Sequence, residues 1–435
     1  MILPGDPGYD ERRTGFYGGF DRRPTVIVEA ANSKDVSRVV TLAGEKGSEL
    51  AVRSGGHSTA GHSTTEGILL DLRRMDAVEI DPGTGIAWAE SGITAGDYTT
   101  AAAAHDLATG FGDTASVGVG GITLAGGIGY LVRKHGLTID SLLAAEIVTA
   151  DGEVLHVDGQ SHPDLFWAIR GGGGNFGVAT RLQFRLHPVN RVIGGMMALP
   201  ATPEVIAGFV AEADAAPDGL STIANVMVAP PLPFFPEVLH GELIVLATMA
   251  WTGNEEEGER VISRIRSLAP PLLDMIDSIP YPQLFPPEQA GFHPIVAGHT
   301  MFVPSIDVAA AETIVEYLIG SDAPMRVAQV RVLGGAMARV PAEATAFAHR
   351  TSPVMANVAA FAEGPDDLAS RQAWVADFAA ALHPAAGAYT GFMGDEGPDR
   401  VRAAFPGATW DRLRAVKRRY DPDNLFRLNQ NIPPG

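Results

Sequence analysis

The stretch Asp164-Leu-Phe-Trp-Ala-Ile-Arg-Gly-Gly-Gly-Gly-Asn-Phe-Gly-Val178 decides how this chain is read. Within it Gly172, Gly174 and Gly177 satisfy G-x-G-x-x-G, a spacing that binds dinucleotides when a strand leads into it and a helix follows. Here the order is reversed. Pro163–Ile169 reads as a helix and precedes the glycines, while Val178–Leu186 reads as a strand and follows them. No suitably placed acidic residue stands about twenty positions further on, where a ribose partner belongs. The motif is not a Rossmann site, and its glycines need another use.

Two more glycine clusters lie upstream, Arg53-Ser-Gly-Gly-His57 and Val117-Gly-Val-Gly-Gly-Ile-Thr-Leu-Ala-Gly-Gly-Ile-Gly129. Glycine lets backbone N–H groups approach an anion with no Cβ in the way, and successive N–H groups form a concave anion nest. Three such clusters, each beside regular structure, point to one extended ligand containing a diphosphate. Tight turns alone are the alternative.

Composition narrows the field. The 435 residues carry 32 basic and 51 acidic side chains, a net charge of −19, which argues against nucleic acid or an anionic membrane as partner. There is no Cys, which excludes disulfides, thiolate metal sites and a thiol nucleophile. No metal site is expected, since His293 and His299 lack a third ligand at useful spacing, and no G-x-S-x-G nucleophile turn is present. The start of the chain lacks the pattern of a signal peptide, and its longest apolar run, Leu243–Trp251, is far short of the ~20 residues that span a bilayer. The expectation is a soluble, cytoplasmic protein. Its oligomeric state is not legible.

The first 190 residues alternate short strands with helices. Strands are expected at Thr25–Glu29, Leu50–Arg53 and Gly67–Asp71, with a strand pair around the Asp81-Pro-Gly-Thr turn and a hairpin from Glu146 to Val157. Asn32 with Asp35 opens a helix whose Val36, Val39, Val40 and Ala43 share one face, and Thr94 with Asp97 opens another. From about 191 to 393 strand-like runs (243–246, 327–332, 355–362) alternate with amphipathic helices at 307–318 and 367–382. Ala229–Pro236 and Ile279–Pro287 read as loops, and the segment from 394 to 435 as a charged tail ending in a loop. The fold class is α+β, divided into residues 1–190, 191–393 and 394–435.

Taken in order, Val52-Arg-Ser-Gly-Gly-His57, the Val117–Gly129 run, Asp164–Val178 and Tyr420-Asp-Pro-Asp-Asn-Leu-Phe-Arg-Leu-Asn-Gln-Asn-Ile-Pro433 resemble FAD-linked oxidases of the berberine-bridge-enzyme-like group, in the vanillyl-alcohol oxidase superfamily. The resemblance is strong at both ends and loose in the middle. It implies a PCMH-type FAD-binding domain of two α/β subdomains, completed by the C-terminal return, and a substrate domain with an antiparallel sheet backed by helices. It implies that His57 bonds the flavin 8α-methyl group, with His62 as the competing candidate. It further implies that Arg53, Ser54, Gly55, Gly56 and Ser58 wrap the diphosphate. Thr114, Val117, Gly118, Gly121, Gly127 and Gly129 would line the pyrophosphate, ribityl chain and flavin face. Asn175, Gly177 and Val178 would touch the cofactor, and Asn429 and Asn431 would reach it from the C-terminal return.

One departure is informative. Relatives often attach FAD a second time through a Cys at the position held here by Thr114, so a cysteinyl bond is impossible and a single histidyl tether is implied. The resemblance also implies hydride transfer from an alcohol, amine or phenolic small molecule to flavin N5 with O₂ as re-oxidant. A dehydrogenase using another acceptor and a non-catalytic flavin binder are the alternatives. Val119, small and β-branched, stands where relatives that use oxygen often carry Val. Tyr389 lies where relatives carry a Tyr facing the flavin, but Gly391 replaces their Asn two residues on. Gln329 and Arg331 alternate on one side of a strand expected to roof the flavin, and solvated edge positions explain them equally well; Asn357 is read the same way. Tyr130 is expected to border the substrate cavity, and Arg133-Lys134-His135 to form a solvated helix end. The acidic residues read as surface groups.

Overall fold

The computed structural model describes residues 1–231, 235–285, 291–383 and 387–435. Three sheets of three or more strands organise the described residues. A parallel three-stranded sheet runs Val26–Glu29, Ile68–Asp71, Leu50–Arg53 in spatial order. The first crossover is the helix Ser33–Lys46, which starts where Asn32 Oδ1 accepts from the Asp35 N–H and stops at Gly47, whose left-handed φ of 60° ends it. Its Val36, Val39, Val40 and Ala43 pack on Leu50, Ile68 and Leu70, together with Leu425 and Phe426 from the far end of the chain. A five-stranded antiparallel sheet follows, Val78–Asp81, Ile86–Glu90, Val178–Arg185, Leu142–Val148, Val154–Asp158.

The middle of the chain builds an antiparallel sheet in the order Leu273–Asp274, Arg191–Pro200, Leu243–Trp251, Leu220–Val228, Arg326–Val332, Val354–Ala362, Ile295–Val303, with Asp277–Pro280 also pairing to Arg191–Pro200. Alternation decides its faces. Ala224, Val226, Ala328, Val330, Val332, Ala356 and Val358 point to the helices Pro203–Ala215, Glu255–Arg266, Val308–Gly320 and Pro365–Leu382 and form one core with them. The intervening residues, Asn225, Gln329, Arg331, Met355 and Asn357, point the other way, toward the glycine loops.

Two loop expectations need correction. Ile279–Pro280 lies in a strand and Tyr281–Leu284 in a 3-10 turn, because Tyr281 and Leu284 are buried apolar anchors; Pro286 and Pro287 lie outside the described residues, as do 232–234 of the Ala229–Pro236 stretch. The charged tail is also helical, Pro398–Ala404 and Ala408–Tyr420, since Trp410, Leu413 and Val416 recur on one buried face beneath the charges.

Candidate active site

A single elongated cavity collects the glycine clusters. Its lining includes Ser54 to Thr59 after the strand Leu50–Arg53, Gly112–Thr114, Val117–Gly121 less Val119, Gly172–Asn175, Gly177, Thr390–Met393 and Leu428–Gln430. The glycines do two different jobs. Gly55 and Gly118 allow two backbones to touch: a Cβ on Gly55 would lie 2.2 Å from the Gly118 nitrogen, and one on Gly118 would lie 2.1 Å from the Gly55 nitrogen. Gly121 and Gly174 instead face open space, with no protein atom within 4 Å of an added Cβ. Among the described lining residues the only carboxylate is Asp113 and the only guanidinium Arg331, so a diphosphate here must be neutralised by backbone N–H groups.

The C-terminal return is locked against the third cluster by a buried polar node. Lys417 Nζ, fully buried, donates to Asp421 Oδ2 at 2.6 Å, Asn175 O at 2.8 Å and Phe426 O at 2.9 Å. Burial pulls the Lys417 ammonium below its ordinary range, opposed by the Asp421 carboxylate. Asn175 donates to Gly172 O and Gln430 O and accepts from the Ile432 N–H. Gln430 in turn donates to Met393 O at 3.0 Å. Every donor in this node is used, while Asn429 Oδ1 and Asn431 Oδ1 remain buried without a protein partner. The Asn429 amide and the open cradle at Gly121 and Gly174 are what a bound cofactor would satisfy and fill.

On the opposite side stand Tyr389 and Arg331. Tyr389 Oη accepts from the Gly127 N–H at 3.1 Å, and burial holds its phenol above the ordinary range, partly offset by Gly127 and Arg331. The departure at Gly391 has a physical cause. A Cβ there would fall 2.8 Å from the Tyr389 ring, so the ring occupies the space that a side chain two residues on would need. Arg331, 2% exposed, donates to Gln329 Oε1, Ile128 O and Asp113 Oδ2, the last at 2.7 Å. It is a strut between the sheet and the glycine loops, not a solvated edge residue. Gln329, bonded to Asn225 and Arg331, and Asn357, half-buried on the neighbouring strand, stand behind that strut and do not line the cavity.

His57, Ser54, Gly55, Gly56, Ser58, Thr114, Val117, Gly118, Gly121, Asn175, Gly177, Asn429, Arg331 and Tyr389 all border the one cavity. His62 borders it too, its imidazole pushed down to about 4 by burial, with Arg22 adding to the shift and Asp395 opposing it. Several placements differ from the sequence reading. Arg53, 1% exposed, turns from the cavity and donates to the carbonyls of Ser63, Arg12, Arg13 and Thr14, because a buried guanidinium with no carboxylate partner is satisfied by backbone oxygens. Gly127 and Gly129 serve packing, since Cβ atoms there would meet Thr138 Oγ1 at 1.9 Å and Phe111 O at 1.7 Å. Val178 packs in the core of the parallel sheet, and Asn431 does not reach the cavity. Val119 is fully buried beneath the loop, whereas Val117 lines the cavity. Tyr130 packs with Leu131 and Tyr281 instead of bordering the cavity. Arg133 is buried, donating to Leu333, Asp214 and Ala216 carbonyls, although Lys134 beside it is exposed. Sequence reasoning missed Tyr17 and Asp113. Asp113 sits next to Thr114, yet its acidity was read as surface charge, and Tyr17 carries no motif. Burial, with Asp113 nearby, pushes the Tyr17 phenol up to about 12.

This arrangement defines a protein that holds an extended dinucleotide-type cofactor with backbone and presents side chains to one end of it. Residues 24–158 match the FAD binding domain family, and residues 388–433 match the berberine and berberine-like family. An FAD-linked oxidoreductase of Bacillus subtilis is 30% identical over the whole of this chain and 98% of its own length. The (R)-6-hydroxynicotine oxidase of Paenarthrobacter nicotinovorans is 29% identical over the whole of this chain and 96% of its own. A crystal structure of 6-hydroxy-D-nicotine oxidase from Arthrobacter nicotinovorans superposes with a TM-score of 0.87 at 26% identity, covering 100% of this chain and 97% of that one. The chain belongs to the berberine-bridge-enzyme-like family of FAD-linked oxidoreductases, with the PCMH-type fold of that superfamily.

Proposed function

We propose that the protein is an FAD-dependent oxidase that carries its flavin on His57 and oxidises a small alcohol, amine or phenolic compound, with O₂ as re-oxidant. Residues 1–190 and 394–435 form the cofactor half and 191–393 the substrate half in this reading. The observation that carries it is the cavity itself: backbone on three sides, the unpartnered Asn429 Oδ1, and Tyr389 and His57 on its walls. Bound FAD supplies a hydride acceptor at N5. The chain supplies the rest. The glycine segments would hold the diphosphate, and Asn429 and Gln430 would contact the cofactor from the C-terminal return. Tyr389, whose oxygen already accepts from the Gly127 N–H, is the base of this reading: in its phenolate form it receives the substrate's O–H or N–H proton as the C–H bond breaks. Arg331 keeps the sheet in register with the loop that carries that N–H. With no Cys in the chain, no cysteinyl bond to the flavin can form.

The relatives named above include a nicotine oxidase, and similarity alone does not carry a substrate across; a flavin-bleaching screen of alcohols and amines identifies it. The function is tested by acid precipitation and oxygen use. The precipitated protein is expected to stay yellow and His57→Ala to release all its flavin, with one hydrogen peroxide formed per substrate oxidised. A colourless wild-type pellet removes the histidyl tether. Turnover with an artificial dye but without peroxide makes the enzyme a dehydrogenase.

A further inference from the structure

Residues 14–19 form a strap that lies ahead of residue 24, where the FAD domain match begins, and it is sewn to both halves of the cavity. On the cofactor side the Arg53 guanidinium holds the Arg12, Arg13 and Thr14 carbonyls, and the Phe16 N–H donates to Gly56 O at 3.1 Å. On the sheet side the Gly18 N–H donates to Pro294 O at 2.9 Å, and a Cβ at Gly18 would press to 2.6 Å from His293 O. The strap is thus anchored between a buried arginine and the residues just before the edge strand Ile295–Val303.

What the strap delivers is a flat ring. Phe16 stacks on the His57 imidazole with centroids 4.2 Å apart and planes 19° from parallel, and Tyr17 braces Phe16 edge-on at 5.0 Å. From the second glycine segment, Ser116 Oγ shares a 2.7 Å hydrogen bond with His57 Nε2. A histidine on a glycine loop has two side-chain torsions to fix. Stacking removes freedom to tilt, and the hydrogen bond removes freedom to spin within the plane. We propose that Phe16 and Ser116 are positioning residues for flavin attachment: together they hold the His57 imidazole in the one plane and rotation from which it can bond the flavin. This rests on the histidyl-flavin reading above.

Attachment breaks one C–H bond of the flavin 8α-methyl group and the imidazole N–H, and forms one C–N bond. The two electrons released pass to the isoalloxazine together with the two protons, giving reduced flavin, and O₂ re-oxidises it to yield hydrogen peroxide. No step needs another reagent. Bond formation between two groups demands reacting atoms about 3–3.5 Å apart and aligned, and a misplacement near 1 Å costs on the order of 100-fold in rate. A freely turning imidazole forfeits that alignment without forfeiting flavin binding, because the diphosphate is held elsewhere.

The test uses the 435-residue chain purified from riboflavin-starved cells and mixed with FAD in air. Flavin fluorescence that stays on the denatured chain in a gel counts attached cofactor, and flavin per chain in the native sample counts bound cofactor. Phe16→Leu and Ser116→Ala are each expected to attach FAD about tenfold to a hundredfold more slowly while binding it to the wild-type level. Phe16→Tyr and Ser116→Thr, which restore the ring and the hydroxyl, are expected to recover the rate to within about twofold. Should Phe16→Leu fail to fold, the near-isosteric Ser116→Ala decides alone. Wild-type rates in both Phe16→Leu and Ser116→Ala overturn the proposal and leave the tether standing. A wild-type chain that never retains flavin after denaturation overturns both.

Discussion

The cavity wall built from residues 52–63, 112–121 and 172–177 works through its backbone, whereas the wall built from 326–332 and 389–393 works through side chains. The first is glycine packed on glycine, with the Gly55 and Gly118 backbones touching. The second presents a phenol held by the Gly127 N–H and a guanidinium that reaches across to Asp113 of the first. The difference teaches where each function can change. A backbone wall holds an invariant cofactor and fails by distortion, while a side-chain wall can be re-cut without disturbing the cofactor. Substitutions that distort the backbone of the first should therefore cost flavin and stability together, and those on the second should cost turnover alone.

The hardest blow to the backbone wall falls through Lys417, which touches no cavity space. Lys417→Met leaves the Asp421 carboxylate buried without its cation, and breaking a buried pair in this way typically costs about 3–5 kcal/mol. It also frees the Asn175 and Phe426 carbonyls that tie the C-terminal return to the glycine turn. Thermal unfolding should show a large loss of stability, and gel filtration should strip non-attached flavin. Adding Asp421→Asn in the same chain should restore part of the loss, since no charge then stays uncompensated. Equal stability of single and double variants would sink the node's assigned role.

Tyr389→Phe probes the other wall. Removing one phenol that handles a proton should slow flavin reduction about 10²-fold or more. Bound flavin and its spectrum should stay near wild type. Because burial holds the phenol above its ordinary range, wild-type reduction should keep accelerating as pH rises past neutrality toward alkaline values, and the Phe variant should lose that rise. A pH-independent wild-type rate would take Tyr389 out of the proton path.

Legibility in the sequence follows the same division. The backbone wall could be read because glycine spacing is itself the mechanism, and the helix Ser33–Lys46 could be read because Asn32 and its apolar stripe are local signals. The charged residues misled. Arg53, Arg133 and Arg331 are all nearly or fully buried, satisfied by carbonyls or an aspartate many residues away, and no local pattern distinguishes such an arginine from a solvated one. The helix Ala408–Tyr420 was hidden likewise, its Trp410, Leu413 and Val416 stripe masked by the arginines between them. Tyr17 was silent because its role depends on a strap whose partners are Gly56 and Pro294, far along the chain.

A smaller effect separates the two kinds of glycine. Gly118→Ala drives a Cβ to 2.1 Å from the Gly55 nitrogen, a backbone atom that cannot step aside, and overpacking of this kind costs about 1–3 kcal/mol. Gly121→Ala places its methyl in open cavity. The first should lower the thermal midpoint of the flavin-free chain, and the second should leave that midpoint unchanged while weakening flavin binding. Identical behaviour of the two would mean that the segment serves one purpose, not two.

The mildest prediction concerns His62, the imidazole on the backbone wall. Burial holds it at about 4 in the folded chain, with Arg22 lowering it further and Asp395 raising it, against about 6.5 when unfolded. Between those values the unfolded chain binds a proton that the folded chain refuses, so stability rises with pH across the window from 4 to 6.5 and is fully present above it. His135, pushed down to about 4 by burial and by His187 and Lys134, adds a slope of the same sign from outside the cavity. Unfolding midpoints measured from pH 4 to pH 7 should therefore climb, and His62→Gln should flatten only its share, leaving the part due to His135. The comparison sharpens if the experiment is repeated with flavin bound. A ligand filling the cavity beside His62 deepens its desolvation and extends that share of the slope to lower pH, whereas the His135 share stays as it was. A His62→Gln chain with the full wild-type slope in both states would mean that this imidazole is already proton-accessible on the cofactor wall.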